Sequence, residues 1–178
     1  MKHDSIRAKV LCTKIIPNAD PALLKALRLP KELRSLGLIT VDSDDVAYTA
    51  LDEATKKAQV RVAWAKSLYA GASNASTKLA GEFIGILAGS NPEEVICGLE
   101  AAVQCIEHDA SFYSADDDNR IIYFAHCISR PGSYLSNKVK LEEGMSIAYL
   151  IAPPAEALFA MDAAIKAANV QLKVFYGP

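Results

Sequence analysis

The chain has 178 residues, 51% of them hydrophobic, with 19 Lys and Arg against 21 Asp and Glu for a formal net charge of -2. That near-neutral balance argues against the broad cationic footprint of a nucleic-acid binder, and no apolar run reaches the length of about 18 residues that reads as a membrane span. The N-terminal MKHDSIRAK lacks the apolar stretch of a secretory signal, so the expected compartment is the cytoplasm, where thiols stay reduced. The four cysteines (Cys12, Cys97, Cys105, Cys127) show no CxxC spacing and read as small filler.

In chain order, residues 7–16 (RAKVLCTKII) are rich in β-branched side chains and predict a strand that ends at Pro17. Residues 21–27 predict a short helix broken at Leu29-Pro30. A strand apolar on both faces follows at 36–41, then an acidic turn at 42–45, a helix over about 46–58 and a strand at 60–66. Residues 67–80 (SLYAGASNASTKLA) form a long loop of small and polar residues, and 83–87 another strand. Asn91-Pro92-Glu93-Glu94 is a helix start: Asn caps, Pro suits the first turn and Glu the third position. Val95, Leu99, Ala102, Val103 and Ile106 give that helix its apolar stripe. Residues 108–119 (HDASFYSADDDN) read as a polar linker, after which 121–129 (IIYFAHCIS) opens a new strand.

The chain repeats itself. Residues 50–62 (ALDEATKKAQVRV) and 160–172 (AMDAAIKAANVQL) match at a constant offset of 110, with six of thirteen positions identical, among them Asp52/Asp162 and Lys56/Lys166. Apolar runs precede both copies, LGLITV from Leu36 and SIAYLI from Ser146. A period this long signals duplicated domains rather than short stacked repeats. The expected domains are residues 1–112 and 113–178, each an α/β (α+β) unit of a small mixed or antiparallel sheet packed with helices. By the same offset Pro178 falls on Leu68, so copy two has no counterpart of the strand and helix at 83–106. A domain without them leaves apolar faces open, and the expectation is that the C-terminal part of the second domain is missing from these residues.

No Walker or Rossmann glycine pattern and no recognisable Ser/His/Asp or Cys/His arrangement is present. His126 and Cys127 are neighbours on a strand and point to opposite faces, a poor chelating pair. No catalytic residue and no metal site is expected.

The pattern A-x-D-A-A-x-K-A-A-N-V at 160–170 resembles the bacterial microcompartment shell-protein domain. RSLGLITVDSDDVAYTALDEATK (34–56), SLYAG (67–71), GSYLS (132–136) and AYLIAPPAEA (148–157) narrow the resemblance to the tandem-domain shell proteins of the ethanolamine-utilization microcompartment. The resemblance implies two tandem, permuted shell domains per chain and homotrimers that mimic hexamers. It implies tiling with neighbouring shell proteins into a flat layer, a gated central pore on the three-fold axis and a smaller pore through each subunit. It implies no enzyme and no required cofactor; charge and hydropathy, not the resemblance, argue against a nucleic-acid or membrane partner. Small-molecule ligands are implied, ethanolamine and cobalamin among them, although no cobalamin motif is recognisable. A rival of another class is a soluble oligomeric sensor for a small amine.

Several residues carry these expectations. Asp42, Asp44 and Asp45 stand at a helix start, where aspartate is a natural cap, yet copy two has Ala152, Pro154 and Ala155 at the same places. Two readings stay open there, capping and an acidic mouth that attracts an organic ammonium; by resemblance Asp44, Asp45 and Glu82 would form the small pore. The long loop is the expected gate, through Ser67, Leu68, Tyr69, Ala70, Gly71 and Asn74, with Tyr69, its only aromatic residue, as the plug. Lys56 and Lys166 read either as exposed helix lysines or, by resemblance, as tile-edge residues that lay their stems along a neighbour.

Overall fold

The computed structural model describes residues 4–68, 82–142 and 144–176 without the side chain of Glu82. In chain order the elements are β1 (Asp4–Ile6), β2 (Val10–Ile16), α1 (Pro21–Ala26), β3 (Ser35–Val41), α2 (Asp44–Lys57), β4 (Val60–Leu68), β5 (Glu82–Gly89) and α3 (Pro92–Gln104). A π-helical turn, Cys105–Asp109, continues α3. Then come β6 (Phe112–Ser114), β7 (Ile122–Ile128), α4 (Ser133–Val139), β8 (Ile147–Ile151) and α5 (Pro154–Ala167).

Local side chains cap the starts of α1 and α3. The side chain of Asp20 accepts from the N–H of Ala22 (2.8 Å) and Pro21 opens α1. Asn91 caps α3 through the N–H of Glu94 (2.9 Å), with Pro92 in the first turn, the arrangement its sequence predicts. Four of the five residues of the expected α3 stripe are buried, and Val103 packs partly covered against the same core.

Two four-stranded sheets result, ordered β2-β3-β5-β4 and β1-β6-β7-β8, antiparallel at every pairing. On one face of the first sheet α2 and α3 enclose Ile39, Val41, Leu51, Phe83, Leu87 and Leu99. Burying each large side chain there contributes roughly 1.5–3 kcal/mol. Helix α3 sits so close that a Cβ on Gly37 would lie 2.6 Å from Val95 Cγ1, so the strand needs glycine there. On the opposite face Leu24 of α1 and Leu29 just after it pack with Leu36, Ile86 and Ala88. Phe124 of β7 belongs to the first half's core, with Tyr149 and Ile151 of β8 packed beside it, so the two halves share one apolar interior.

The structure differs from the expectations in several places. Strand β4 runs on to Leu68, paired Ser67↔Phe83 and Leu68↔Glu82, so Ser67 and Leu68 belong to a strand and not to a loop. The polar linker contains β6, and β6 pairs with β1 from the start of the chain. The expected boundary at 112/113 therefore falls inside a strand, and each sheet draws on more than one stretch of sequence. Residues 133–139 form a helix that their own pattern does not announce. Helix α5 matches α2 in length, 14 residues each, but has no buried residue, whereas α2 buries seven. No described element stands beside α5 as α3 and β5 stand beside α2, and residues 168–176 carry no regular secondary structure.

Candidate functional site at the joint between the halves

Strand β3 delivers the chain to the acidic turn, and α2 begins at Asp44. Ser43 is the N-cap by backbone geometry, yet its side chain makes no capping bond. Asp44 Oδ1 accepts from the N–H of Asp45 (3.0 Å), and its Oδ2 accepts from the hydroxyl of Ser67 (2.6 Å) at the end of β4. Asp45 Oδ1 accepts from the hydroxyl of Tyr149 (2.7 Å), which comes from β8 in the second half. Asp42 Oδ1 accepts from the N–H of Lys9 (2.7 Å), just before β2. The three acids thus reach three different parts of the chain. Asp44 takes one first-turn N–H as well, so helix-end and cross-element bonding coexist on the same carboxylate.

Burial pushes the Asp45 carboxyl up to about 6, opposed by the Tyr149 hydrogen bond and helped by the neighbouring Asp44. Burial and the Asp45 charge in turn hold the Tyr149 phenol above its usual range. Among the described residues neither Asp44 nor Asp45 has a Lys, Arg or His ion-pair partner.

The backbone of Glu82 pairs with Leu68, one residue from the Ser67 that bonds Asp44; its side chain lies outside the description. Tyr69, Ala70, Gly71 and Asn74 also lie outside the described residues. Lys56 is ion-paired with Glu53 three residues before it on the same helix. Lys166, its repeat counterpart, pairs with Asp162 at 2.5 Å. Each lysine is thus tied to an acid on its own helix. Among the described residues no three His, Cys, Asp or Glu are grouped to hold a metal ion. No helix there is long and apolar enough to cross a membrane.

A second set of polar contacts fastens the halves. Asp52, 1% exposed, accepts from the N–H groups of Gly132 (2.6 Å) and Leu135 (2.8 Å) at the start of α4. Thr55 Oγ1 accepts from the N–H of Ser133 (3.1 Å). Burial raises the Asp52 carboxyl, and the two backbone N–H groups pull it back. A Cβ on Gly132 would run into Thr55 Oγ1 and the Asp52 carbonyl oxygen. Tyr48 stacks on Tyr134 (6.3 Å between centroids, 22°), and Lys138 Nζ sits 4.3 Å from the centre of the Tyr48 ring.

Sequence reasoning missed Tyr149, Asp52 and Thr55. Tyr149 lies in the alternating run IAYLI, a pattern that fixes a strand but not what its half-buried face meets. Asp52 stands out only as an identity in the repeat.

Residues 35–115 match the BMC domain family. Over all 178 residues the chain is 56% identical to the bacterial microcompartment shell protein EutL of Clostridium perfringens (strain 13 / Type A), covering 82% of that protein. The chain belongs to the EutL family of microcompartment shell proteins. The crystal structure of ethanolamine utilization protein EutL from Leptotrichia buccalis C-1013-b superposes with a TM-score of 0.91 at 61% identity, covering 100% of this chain and 82% of that one. A trimeric bacterial microcompartment shell protein, PduB, shares the fold at a TM-score of 0.70 and 17% identity, over 89% of this chain and 68% of its own. The two antiparallel sheets with their helices are the fold of that family.

Proposed function

We propose that this shell protein is a structural, non-catalytic tile of an ethanolamine-utilization microcompartment. It works as a homotrimer beside neighbouring shell proteins, and Asp44 and Asp45, with Glu82, form a small pore for an organic ammonium. The observation that carries the pore reading is the pair of hydrogen bonds that hold the two carboxylates. Ser67 fixes Asp44 and Tyr149 fixes Asp45, at the seam of the halves, with no ion-pair partner for either among the described residues. A primary ammonium offers three donors and one charge, which suits two fixed carboxylates in partly desolvated surroundings. The relatives' role in ethanolamine utilization makes protonated ethanolamine the ammonium to test. The segment rooted at Ser67 and Leu68 is the gate of the central pore, and cobalamin is the larger molecule assigned to that route. Neither passage needs a bound cofactor.

The test is calorimetry with ethanolamine hydrochloride. Asp44→Asn combined with Asp45→Asn keeps hydrogen-bonding and helix-end ability, because Asn caps about as well as Asp. Binding should weaken at least about tenfold, and added salt should weaken it in the parent. Equal affinity in parent and variant would return these acids to a purely structural role.

A further inference from the structure

We propose that the hollow between β4 and α4 is an anion site for the phosphoryl group of a small phosphate monoester, with Arg61 and Lys138 as its cations and Ser133 and Asn137 as its neutral donors. The site does not rest on the ammonium pore: it is cationic where the pore is acidic, and it shares no residue with it.

The hollow measures about 420 Å³ and is lined by Arg61, Val62, Ser133, Tyr134, Asn137 and Lys138. That volume lies within the roughly 300–1,000 Å³ of small-ligand pockets. Two cations and no acid line it. Neither Arg61 nor Lys138 has an ion-pair partner among the described residues. Lys138 is held by rings instead: its Nζ lies 4.3 Å from the centre of the Tyr48 ring and 5.7 Å from that of Tyr134. A ring face steadies an ammonium without neutralising it, so the charge stays available to a ligand. Ser133 and Asn137 stand one turn apart on α4, and both are exposed. Ser133 is tied to Thr55 through its backbone N–H, which leaves its hydroxyl open. The Asn137 side chain makes no hydrogen bond among the described residues.

The repeat shows that the fold does not require this set. Pro131, before α4, and Pro21, at the start of α1, match at the 110-residue offset. At the same offset Ser133 and Asn137 fall on Leu23 and Leu27, and Arg61 falls on Gln171. Only Lys138, matched by Arg28, keeps its charge in both places. The backbone of α4 is already committed: Asp52 and Thr55 accept from the N–H groups of Gly132, Ser133 and Leu135. Recognition therefore falls to the side chains. An Arg fork can give two parallel bonds to one phosphoryl face, and a Lys adds a point charge. A phosphate monoester carries about 1.5–2 negative charges near neutral pH and three acceptor oxygens, which suits two cations and two neutral donors. A monocarboxylate has one charge and two oxygens and leaves one cation unmatched. Val62 and the Tyr134 ring supply an apolar wall for the organic part.

Calorimetry on the full chain at low salt tests this with glycerol 3-phosphate, inorganic phosphate and acetate. Glycerol 3-phosphate should bind at least as tightly as inorganic phosphate, and both at least about tenfold tighter than acetate. Arg61→Gln gives this position the residue type found at its repeat counterpart. It should weaken glycerol 3-phosphate at least about tenfold and leave the melting temperature unchanged, because Arg61 is exposed. Asn137→Leu should weaken it by a smaller factor. Lys14→Gln removes a charge from β2, at the other edge of the sheet, and should leave the affinity within about twofold. No glycerol 3-phosphate binding at about 10 mM, or acetate binding as tight as the phosphates, would overturn the site. An equal loss in the Arg61 and Lys14 variants would reduce it to attraction by net charge and overturn it as well. Inorganic phosphate that binds where glycerol 3-phosphate does not would contradict the monoester.

Discussion

Asp45 shows how one residue couples composition to position. Copy two has Ala152, Pro154 and Ala155 where copy one has Asp42, Asp44 and Asp45, so the fold builds that helix without acids at those three positions. In copy one Asp45 is half-buried, bonded to Tyr149, and raised from 3.8 to about 6. Between those values the folded chain keeps a proton that the unfolded chain has lost. Stability from this group is therefore present at low pH, declines as pH rises through that window and stays low above it. Asp45→Asn removes the dependence while keeping an acceptor for Tyr149. Its melting temperature should equal the parent's below about pH 4 and exceed it by roughly 2–6 °C above pH 6. A constant difference across a pH series would show that Asp45 titrates normally. The acid cluster is plain in the sequence, but the phenol that holds it is not: Tyr149 is 104 residues away and only folding brings it there.

At the scale of elements, the structures that local chemistry determines are the ones the sequence reveals. Asn91-Pro92 starts α3, Asp20-Pro21 starts α1, and the apolar run before the acidic turn becomes β3. Elements completed from a distance stay hidden. Helix α4 has seven residues and borrows its N-terminal acceptors from Asp52 and Thr55 on α2. Strand β6 has three residues and gains its place by pairing with β1. Within the linker Asp116 Oδ1 accepts from the N–H groups of Arg120 and Ile121, a turn that delivers the chain into β7. The borrowed cap gives a direct prediction. Asp52→Ala leaves two buried N–H groups without partners and should cost about 2–4 kcal/mol in urea unfolding. Asp52→Asn keeps one acceptor oxygen and should cost less. A loss below about 0.5 kcal/mol in the alanine variant would mean that α4 does not depend on this carboxylate.

The whole molecule follows from duplication followed by divergence. The same helix occurs twice, with Asp52 and Asp162, Lys56 and Lys166 at matching places. One copy is buried in the interior that the halves share, and the other is exposed with its apolar residues uncovered. The chain is a EutL-family shell protein, and the proposed function makes it a tile of a shell. The central claim is that this EutL-family chain is such a tile. Negative-stain electron microscopy of the full chain, concentrated at low salt with and without ethanolamine, tests it most directly. The account predicts flat layers of three-fold particles that persist with ligand. Discrete particles that never form layers and change shape when ethanolamine is added would contradict it and favour a soluble sensor.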